Sequence, residues 1–536
     1  MPPRKGINRL KLGPLVGHTD ETTSRIWIQA LDDPNNYQLR VYGAGIFPFE
    51  STETSLEFHT AIATAIELRP DWRYRYNILR NGRSIPGAKG TFRTMPINGS
   101  MSNILFCAIS CNKATSDGSW EALRKFVNEA KPHFIIMMGD QVYVDEDNLD
   151  VFDKFVDSSS AKRRKALAEK YRQSWSRKLL KEVMANVPTY MMWDDHDIRD
   201  GYGSLASDSE TLVQKYPGGK DIFRKCITFF EDARDVYWHF QACHNPPHQP
   251  PEPGKRRAMP FFFKVGRLMV LMLDSRGERD VFRKELPILG PTQWQFINEL
   301  FDTISEDVDA LAIMTPTPIA SMDPAGQSQK LLGNRTDDVD SFKKGDFHGL
   351  FNPYKPDGKI ETGKEIGKTI VSAHLSRITG MPVNWGYYQL SKIDEIRDQW
   401  SHKFARSEQE DLIRQAVKAR FKNRNVGTPR ELIFLSGDIH IGCTFDITIS
   451  EPECKVISLT SSGISANEAK VATVGTFIDK EFDVAPGIHS TLREVVNEVN
   501  FGVIQVMPTG TGAEIVPSLA HEGNSWAIGL DFADLL

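Results

Sequence analysis

Short apolar runs that end in acidic residues constrain the fold of this chain most. They recur after about residue 100, and stretches with helical periodicity lie between several of them. This alternation is typical of an α/β domain, in which helices connect parallel strands. Because such sheets build their sites at the carboxyl ends of strands, we expect the acidic residues to converge. The runs are 134–138 before Asp140, 189–193 before Asp194, 268–272 before Asp274 and 432–436 before Asp438.

The sequence before residue 98 has a different pattern. Short alternating strands follow one another between residues 24 and 96, and Asn81-Gly82 is a hairpin signal. We predict an immunoglobulin- or fibronectin-like β-sandwich domain over 1–98 and an α/β domain over 99–536. Within the second domain, residues 321–370 are rich in Gly, Asp and Lys, which predicts an insertion or lid.

Composition excludes several classes of function. The chain has 536 residues, with 65 Lys plus Arg against 70 Asp plus Glu, so its net charge of −5 does not favour general polyanion binding. The six cysteines include no CxxC pair, and no apolar stretch approaches the ~20 residues that span a bilayer. The basic N-terminus lacks the apolar region of a secretory signal, so we expect a cytoplasmic protein by default.

The polar residues at the predicted strand ends form a chemically coherent set. Asp140 and Tyr143 lie in GDQVY, and DDH (194–196) and DIH (438–440) add carboxylates and imidazoles from two further strand ends. Cys111 follows the apolar run 104–109. One such Asp could simply cap a helix or start a turn. Together, however, these residues suit a two-metal centre for phosphoryl transfer.

Four blocks of the sequence carry a family resemblance. They are AISC (108–111), GDQVY (139–143), MWDDHD (192–197) and LSGDIH (435–440), and LDSR (273–276) and DQW (398–400) support them. In this order they resemble the alkaline phosphatase D-like metallophosphatases, relatives of the purple acid phosphatases and of other calcineurin-like phosphoesterases. The resemblance implies a metallophosphatase sandwich of mixed sheets flanked by helices, preceded by a β-sandwich.

The resemblance also implies roles for individual residues. Asp140 would bridge the metals and take part in catalysis, and His196 would stabilise the transition state or protonate the leaving group. Asp194 and Asp197 would orient His196, and Asp200, in DIRDGYG, stands where the family often has metal-proximal polar residues. The implied metal ligands are Cys111, Tyr143 and His440 beside Asp140 at one ion, and Asp195, Asp398 and Asp438 at the other.

The ligand types favour Fe³⁺ with Ca²⁺, and Zn²⁺, Mn²⁺ or Mg²⁺ would also suit them. Each residue also has an alternative interpretation. Cys111 could be a buried thiol, Tyr143 a packed aromatic ring, and Asp398 an acid on a helix surface. Arg276 could bind a substrate phosphate, or it could form a structural ion pair with Asp274 or Glu278.

The function that the resemblance implies is hydrolysis of phosphomonoesters, and of diesters as a second activity, by in-line attack of metal-bound hydroxide. The alternatives are a dedicated phosphodiesterase, a phospholipase D-like hydrolase and a non-catalytic binding protein on the same fold. The expected partner is a small phosphate ester, and nucleic acid or phospholipid would enter only as a diester substrate. The sequence does not indicate an oligomeric state.

Overall fold

The computed structural model describes most of the chain. Asp200, Asp398 and nearly all of the predicted insertion at 321–370 lie outside the described residues. Only the backbone is described at residues 153, 219–224 and 226. The described ranges are 9–53, 57–145, 150–199, 202–203, 219–279, 287–321, 399–400, 405–424, 427–466, 480–496 and 498–521.

The N-terminal strands form the predicted β-sandwich. Its two four-stranded sheets have the orders β1-β2-β6-β5 and β4-β3-β7-β8 and are antiparallel throughout. Asn81 and Gly82 both have positive φ, as a tight hairpin between the last two strands requires. The strands are β1 Leu12–Thr19, β2 Ser24–Gln29, β3 Tyr37–Val41, β4 Gly45–Pro48, β5 Glu50–Ser51, β6 Thr60–Ala65, β7 Arg73–Arg80 and β8 Arg83–Arg93.

The remaining strands form two mixed sheets, in agreement with the predicted fold class. The apolar runs of the sequence are indeed strands, since continuous burial on both faces requires apolar residues at successive positions. The strands are β9 Ile104–Ile109, β10 Phe134–Met138, β11 Thr189–Met192, β12 Phe261–Val265, β13 Leu268–Met272, β14 Ala310–Met314, β15 Glu431–Ser436, β16 Gly442–Ser450, β17 Glu453–Thr460, β18 Glu481–Ala485, β19 Ile488–Val496, β20 Asn500–Pro508 and β21 Ala513–His521.

Sheet order brings distant parts of the chain together. The five-stranded sheet has the order β11-β10-β9-β20-β21, in which β9, β10 and β11 are parallel and β20 is antiparallel to β9. The eight-stranded sheet has the order β12-β13-β14-β15-β17-β16-β19-β18, and its strands β13, β14, β15 and β17 are parallel. The C-terminal strands β20 and β21 therefore complete the first sheet.

Helices connect and flank these strands. Helix α1 lies between β9 and β10 in the chain, and its apolar face packs into the core. The helices are α1 Trp120–Ala130, α2 Val151–Phe155, α3 Ser160–Trp175, α4 Lys178–Met184, α5 Gly219–Phe240, α6 Pro291–Asp302 and α7 Arg406–Phe421, with single 3-10 turns at Pro34–Asn36, Asp195–Asp197 and Ala242–His244.

The two mixed sheets share one hydrophobic cluster, which contains residues from β9 to β11 and from β13 to β15. Phe134 of the first sheet meets Phe263 of the second edge to face, with ring centroids 5.2 Å apart. The ring of Tyr190 stacks on the ring of Phe263, with centroids 3.8 Å apart. This packing holds the two sheets against each other, so that loops from both can contribute to one site.

The β-sandwich packs closely against the rest of the chain. The Trp27 indole N–H donates to the carbonyl of His239 at 2.9 Å, and Arg25 donates to the carbonyl of Cys243 at 2.8 Å. Tyr76 donates its hydroxyl proton to the carbonyl of Ala185. The division into domains at residue 98 stays a prediction. None of the helices in the described ranges is both long and apolar enough to cross a membrane.

Candidate metal centre

The loops that follow β9, β10 and β15 hold the predicted ligands in an unusual backbone conformation. Cys111, Asp140 and His440 all have φ of 56°, and Asp438 has φ of 72°. L-residues rarely adopt this left-handed region, and each such residue costs on the order of 1–3 kcal/mol where the surroundings impose it. The shared conformation turns each side chain away from its strand and toward a common point.

Two glycines allow these loops to approach one another. A Cβ at Gly139, whose φ is 113°, would lie 2.6 Å from the Cβ of Asp194. A Cβ at Gly437 would collide with the side chain of Ser110. The Gly-Asp pairs of GDQVY and SGDIH therefore combine a small residue at a close contact with a carboxylate directed into the site.

The first group of donor atoms consists of Cys111, Asp140 and His440, whose ligand atoms all lie within 4.8 Å of one another. The Cys111 sulfur is 3.4 Å from Asp140 Oδ2. The hydroxyl of Tyr143 is 3.4 Å from Asp140 Oδ2 and 2.9 Å from His440 Nε2. Thiol, phenol, imidazole and carboxylate thus meet at one point, as the resemblance implied, although Cys111 and His440 belong to different sheets.

Two further groups extend this centre. Asp140, Asp195 and His196 form one, and Asp194, Asp195 and Asp438 form the other, again with ligand atoms within 4.8 Å. Asp140 and Asp195 each belong to two groups, so the three groups are contiguous. Asp194, which we predicted to orient His196, also lies among the carboxylates that could bind a metal.

These residues fit a centre of metal ions. Asp140 is 1% exposed, and its Oδ1 has no hydrogen-bond partner among the described residues, although a buried carboxylate oxygen ordinarily needs a donor or a cation. Burial and the nearby Cys111 and Asp195 raise the pKa of Asp140 well above its ordinary value, against the opposing effect of His196. Several acidic groups this close together are stabilised by cations between them.

His196 lies beside this cluster and is held by a carboxylate that the sequence analysis did not select. Its Nδ1 is 2.9 Å from Asp145 Oδ1, and its ring lies against Tyr143 with centroids 4.2 Å apart. Burial alone would lower the pKa of His196, but the carboxylates of Asp145, Asp195 and Asp140 outweigh it and raise the pKa well above its usual value.

The predicted orienting role of Asp194 and Asp197 stays a prediction, and both residues take part in a buried hydrogen-bond network. Asp197 Oδ2 accepts hydrogen bonds from the backbone N–H groups of Asp194 and Gln141, and Oδ1 accepts one from the Gln241 amide. The two acids close the turn that presents Asp195 and His196. Burial raises the pKa of Asp197 to about 7, although these donors oppose the shift.

Arg276 is fully buried behind the carboxylates. Its guanidinium pairs with Asp194, lies 3.7 Å from Asp195 and donates to the carbonyl of Tyr202 at 2.8 Å. The sequence analysis named Asp274 and Glu278 as ion-pair partners of Arg276, whereas its guanidinium pairs here with Asp194 and Asp195 and its backbone N–H donates to Asp274 Oδ1. The positive charge of Arg276 therefore stabilises the carboxylates of Asp194 and Asp195.

Two more residues contribute to the centre without a clear signal in the sequence. Gln399, next to the undescribed Asp398, donates from its amide to Asp438 Oδ2 at 3.2 Å. The hydroxyl of Ser462 lies 3.1 Å from the Cys111 sulfur. Asp145 offered a weak signal, because it lies two residues after Tyr143 in the same loop. Gln399 and Ser462 could not be identified from the sequence, because their contacts with the centre form only in the folded chain.

Comparison with known proteins agrees with this geometry. The chain matches the family model of the PhoD-like phosphatases over residues 106–494. A search of curated proteins gives no match. The chain is similar to a solved structure of PhoD, with a TM-score of 0.57 and 14% identity over 97% of this chain and 92% of the other. That likeness concerns the fold.

A second solved structure is that of purple acid phosphatase PPD1 isolated from yellow lupin (Lupinus luteus) seeds. Its TM-score is 0.49 and its identity 11%, over 95% of this chain and 72% of the other. The family match extends over more than half of the sequence and includes Cys111, Asp140, Asp195 and His440. The chain therefore belongs to the PhoD-like phosphatase family.

Proposed function

We propose that this protein is a metal-dependent phosphatase that hydrolyses phosphomonoesters, with phosphodiesters as poorer substrates. Its family consists of PhoD-like phosphatases, which act on phosphoester bonds. The observation that carries the proposal is the contiguity of the three donor groups through Asp140 and Asp195. A pair of cations sharing carboxylates is the arrangement used for in-line displacement at phosphorus.

The donor set divides into two kinds of ligand. Cys111, Tyr143 and His440 offer sulfur, phenol and imidazole, which suit a transition metal such as iron or zinc. Asp195 and Asp438 offer carboxylate oxygens, which suit calcium, magnesium or manganese, and Asp140 could serve both. When bound, such ions would activate a water molecule and neutralise the charge of the phosphoryl oxygens.

In the proposed mechanism, His196 protonates the leaving group. Its Nδ1 faces Asp145, so the proton that it can deliver is on Nε2. In the proposed reaction, the oxygen of water forms a bond to phosphorus and the bond to the ester oxygen breaks. That oxygen takes the proton from His196 Nε2 and leaves as an alcohol, and the proton that the attacking water loses passes to solvent, from which His196 is protonated again. Because water attacks directly, no phosphoenzyme forms.

A side-by-side measurement tests the substrate class. Initial rates for p-nitrophenyl phosphate and bis-p-nitrophenyl phosphate are determined with the full-length protein supplied with iron and calcium. The proposal expects a higher kcat/KM for the monoester. A preference for the diester would support the phosphodiesterase alternative instead, and inactivity on both would favour a binding protein on the same fold.

Acid-quenching the reaction of a ³²P-labelled monoester tests direct attack by water. We expect no radioactivity bound to the denatured protein at any time during turnover. A covalent phosphoenzyme would overturn the proposed mechanism while leaving the hydrolase assignment intact.

A further inference from the structure

Ser462 contacts two of the proposed metal ligands at once. It lies in the loop that follows β17, and it is fully buried. Its hydroxyl oxygen is 3.1 Å from the sulfur of Cys111 and accepts a hydrogen bond of 2.8 Å from the backbone N–H of His440. One side chain therefore joins a ligand at the end of the five-stranded sheet to a ligand from the eight-stranded sheet.

The direction of the hydrogen bond to sulfur follows from the chemistry of the hydroxyl. Ser462 has one proton to donate, and the His440 N–H already uses one of its acceptor positions. A cysteine that binds a metal has lost its own proton. When Cys111 is a ligand, the Ser462 hydroxyl is therefore the donor and the sulfur is the acceptor.

A second hydroxyl near the sulfur has a competing partner. Ser110 Oγ is 3.3 Å from the Cys111 sulfur, but it is also 3.1 Å from the carbonyl of Ser461. Its single proton cannot serve both acceptors fully. Among the described contacts, the Ser462 proton has no second acceptor. Ser462 is therefore the better hydrogen-bond donor to the sulfur.

The backbone holds the Ser462 loop in place. The Ile464 N–H donates to the carbonyl of Ser110 at 3.0 Å, and the Ala466 N–H donates to the carbonyl of Cys111 at 3.2 Å. These bonds fasten the loop to the segment that carries the sulfur. The position of the Ser462 hydroxyl relative to Cys111 is thus set by the fold.

We propose that Ser462 is a positioning residue that tunes the metal centre through Cys111 and His440. A hydrogen bond into a coordinated thiolate withdraws electron density from the sulfur and lowers its donation to the metal. The bond from the His440 N–H keeps the second ligand at a constant spacing from the first. This inference rests on the proposed function in one respect, namely that Cys111 binds a metal.

Cobalt is the probe that tests the inference without relying on turnover. Co²⁺ is titrated into metal-free, full-length protein, and the sulfur-to-cobalt charge-transfer absorption is recorded. In Ser462→Ala the band moves to lower energy, because the sulfur is no longer stabilised by a donor. The Co²⁺ affinity falls by about tenfold or more, the usual effect of losing a residue that supports a ligand.

Two variants serve as controls. Ser465→Ala removes a hydroxyl from the same loop, but Ser465 donates to the carbonyl of Lys113 at 2.9 Å and contacts no proposed ligand. Its band and affinity should match those of the wild type. Ser462→Thr retains the hydroxyl and should keep the wild-type band energy. If Ser462→Ala does not fold, by circular dichroism, Ser462→Gly, which also lacks the hydroxyl, takes its place and should show the same shift to lower energy.

The outcomes separate this inference from the proposed function. A band and an affinity in folded Ser462→Ala equal to those of Ser465→Ala would overturn the role of Ser462 while leaving the phosphatase proposal untouched. A shifted band in folded Ser462→Thr would overturn it as well. Wild-type protein that binds Co²⁺ without any sulfur band would remove Cys111 from the ligand set, and the inference would fall with it.

Discussion

Asp145 Oδ1 lies 2.9 Å from His196 Nδ1, and this contact gives the imidazole of His196 a defined orientation and tautomer. The two side chains are 9% and 12% exposed, so water competes little for the bond. With Nδ1 directed at Asp145, Nε2 is the nitrogen that can meet a substrate. The pair thus resembles the acid–imidazole arrangements that other enzymes use to hold a proton donor.

His196→Ala should lower kcat most for substrates with poor leaving groups. We expect a loss of about 10²–10⁴-fold with phenyl phosphate, the usual contribution of proton transfer, and a smaller loss with p-nitrophenyl phosphate. Asp145→Asn should show the same pattern more weakly, because the imidazole remains but loses its anionic partner. Steady-state kinetics with both substrates measure the effect.

His489→Ala is the matched control for this pair. His489 also contacts an aspartate, Asp483, at 2.8 Å, but its side chain is 44% exposed and lies outside the proposed centre. Its kinetics should equal those of the wild type. An equal loss on both substrates in His196→Ala would contradict a role in protonating the leaving group.

Gly437→Ala should disrupt the centre, because the added methyl group would collide with Ser110 beside Cys111. We expect weaker metal binding and an unfolding free energy lower by about 1–3 kcal/mol, as for overpacked sites. Gly427→Ala is the control, since a Cβ there meets no atom of the described residues within 4 Å. Metal content after dialysis and urea denaturation distinguish the two variants. Wild-type behaviour of Gly437→Ala would show that the loops tolerate a wider spacing.

Trp27→Ala should destabilise the whole protein. The Trp27 ring is fully buried between the sandwich and the α/β part, and its indole N–H satisfies the carbonyl of His239. Losing a buried Trp typically costs about 3–5 kcal/mol. Trp72→Ala, at a side chain that is 53% exposed, should cost far less. Calorimetry should show one thermal unfolding transition for the wild type. A separate transition of the β-sandwich at lower temperature would contradict the prediction that it unfolds together with the rest of the chain.

His133 should make the protein sensitive to acid. Burial, helped by the charge of Arg93, lowers the pKa of His133 to about 3, whereas an unfolded histidine has a pKa of about 6.5. Between these values the unfolded chain binds a proton that the folded chain does not, so stability falls as the pH drops from 6.5 toward 3. His133→Gln should reduce this slope by at most about 1.4 kcal/mol per pH unit. Urea midpoints at pH 7, 6 and 5 provide the test, and an unchanged slope would contradict it.

Much of the centre could be predicted from the sequence, because its residues follow apolar strands. The runs before Asp140 and Asp438 are buried on both faces, so their boundaries are visible in the sequence. Parallel pairing places the strand ends of each sheet at one edge, and the packing of the two sheets brings residues from both edges together. Cys111, Asp195 and His440 were selected for the same reason, and all of them lie in the three donor groups.

The residues that the sequence could not identify depend on pairing between distant segments. Ser462 contacts Cys111 only because two sheets meet, and Arg276 reaches Asp194 across the same junction. The local pattern of apolar and polar residues does not indicate contacts between such distant parts of the chain. The C-terminal strand β20 is a similar case, since its partner β9 lies near the other end of the chain. Asp200 and Asp398 stay predictions.

The central claim is that metal ions at this centre hydrolyse phosphate esters, and chelation followed by metal restoration tests it most directly. Wild-type protein and Asp140→Asn are stripped of metal, and p-nitrophenyl phosphate hydrolysis is measured before and after iron and calcium are added back. We predict that the stripped wild type is inactive and regains its rate, whereas folded Asp140→Asn stays inactive. Equal activity of the stripped and restored wild type, or full activity of Asp140→Asn, would contradict the account.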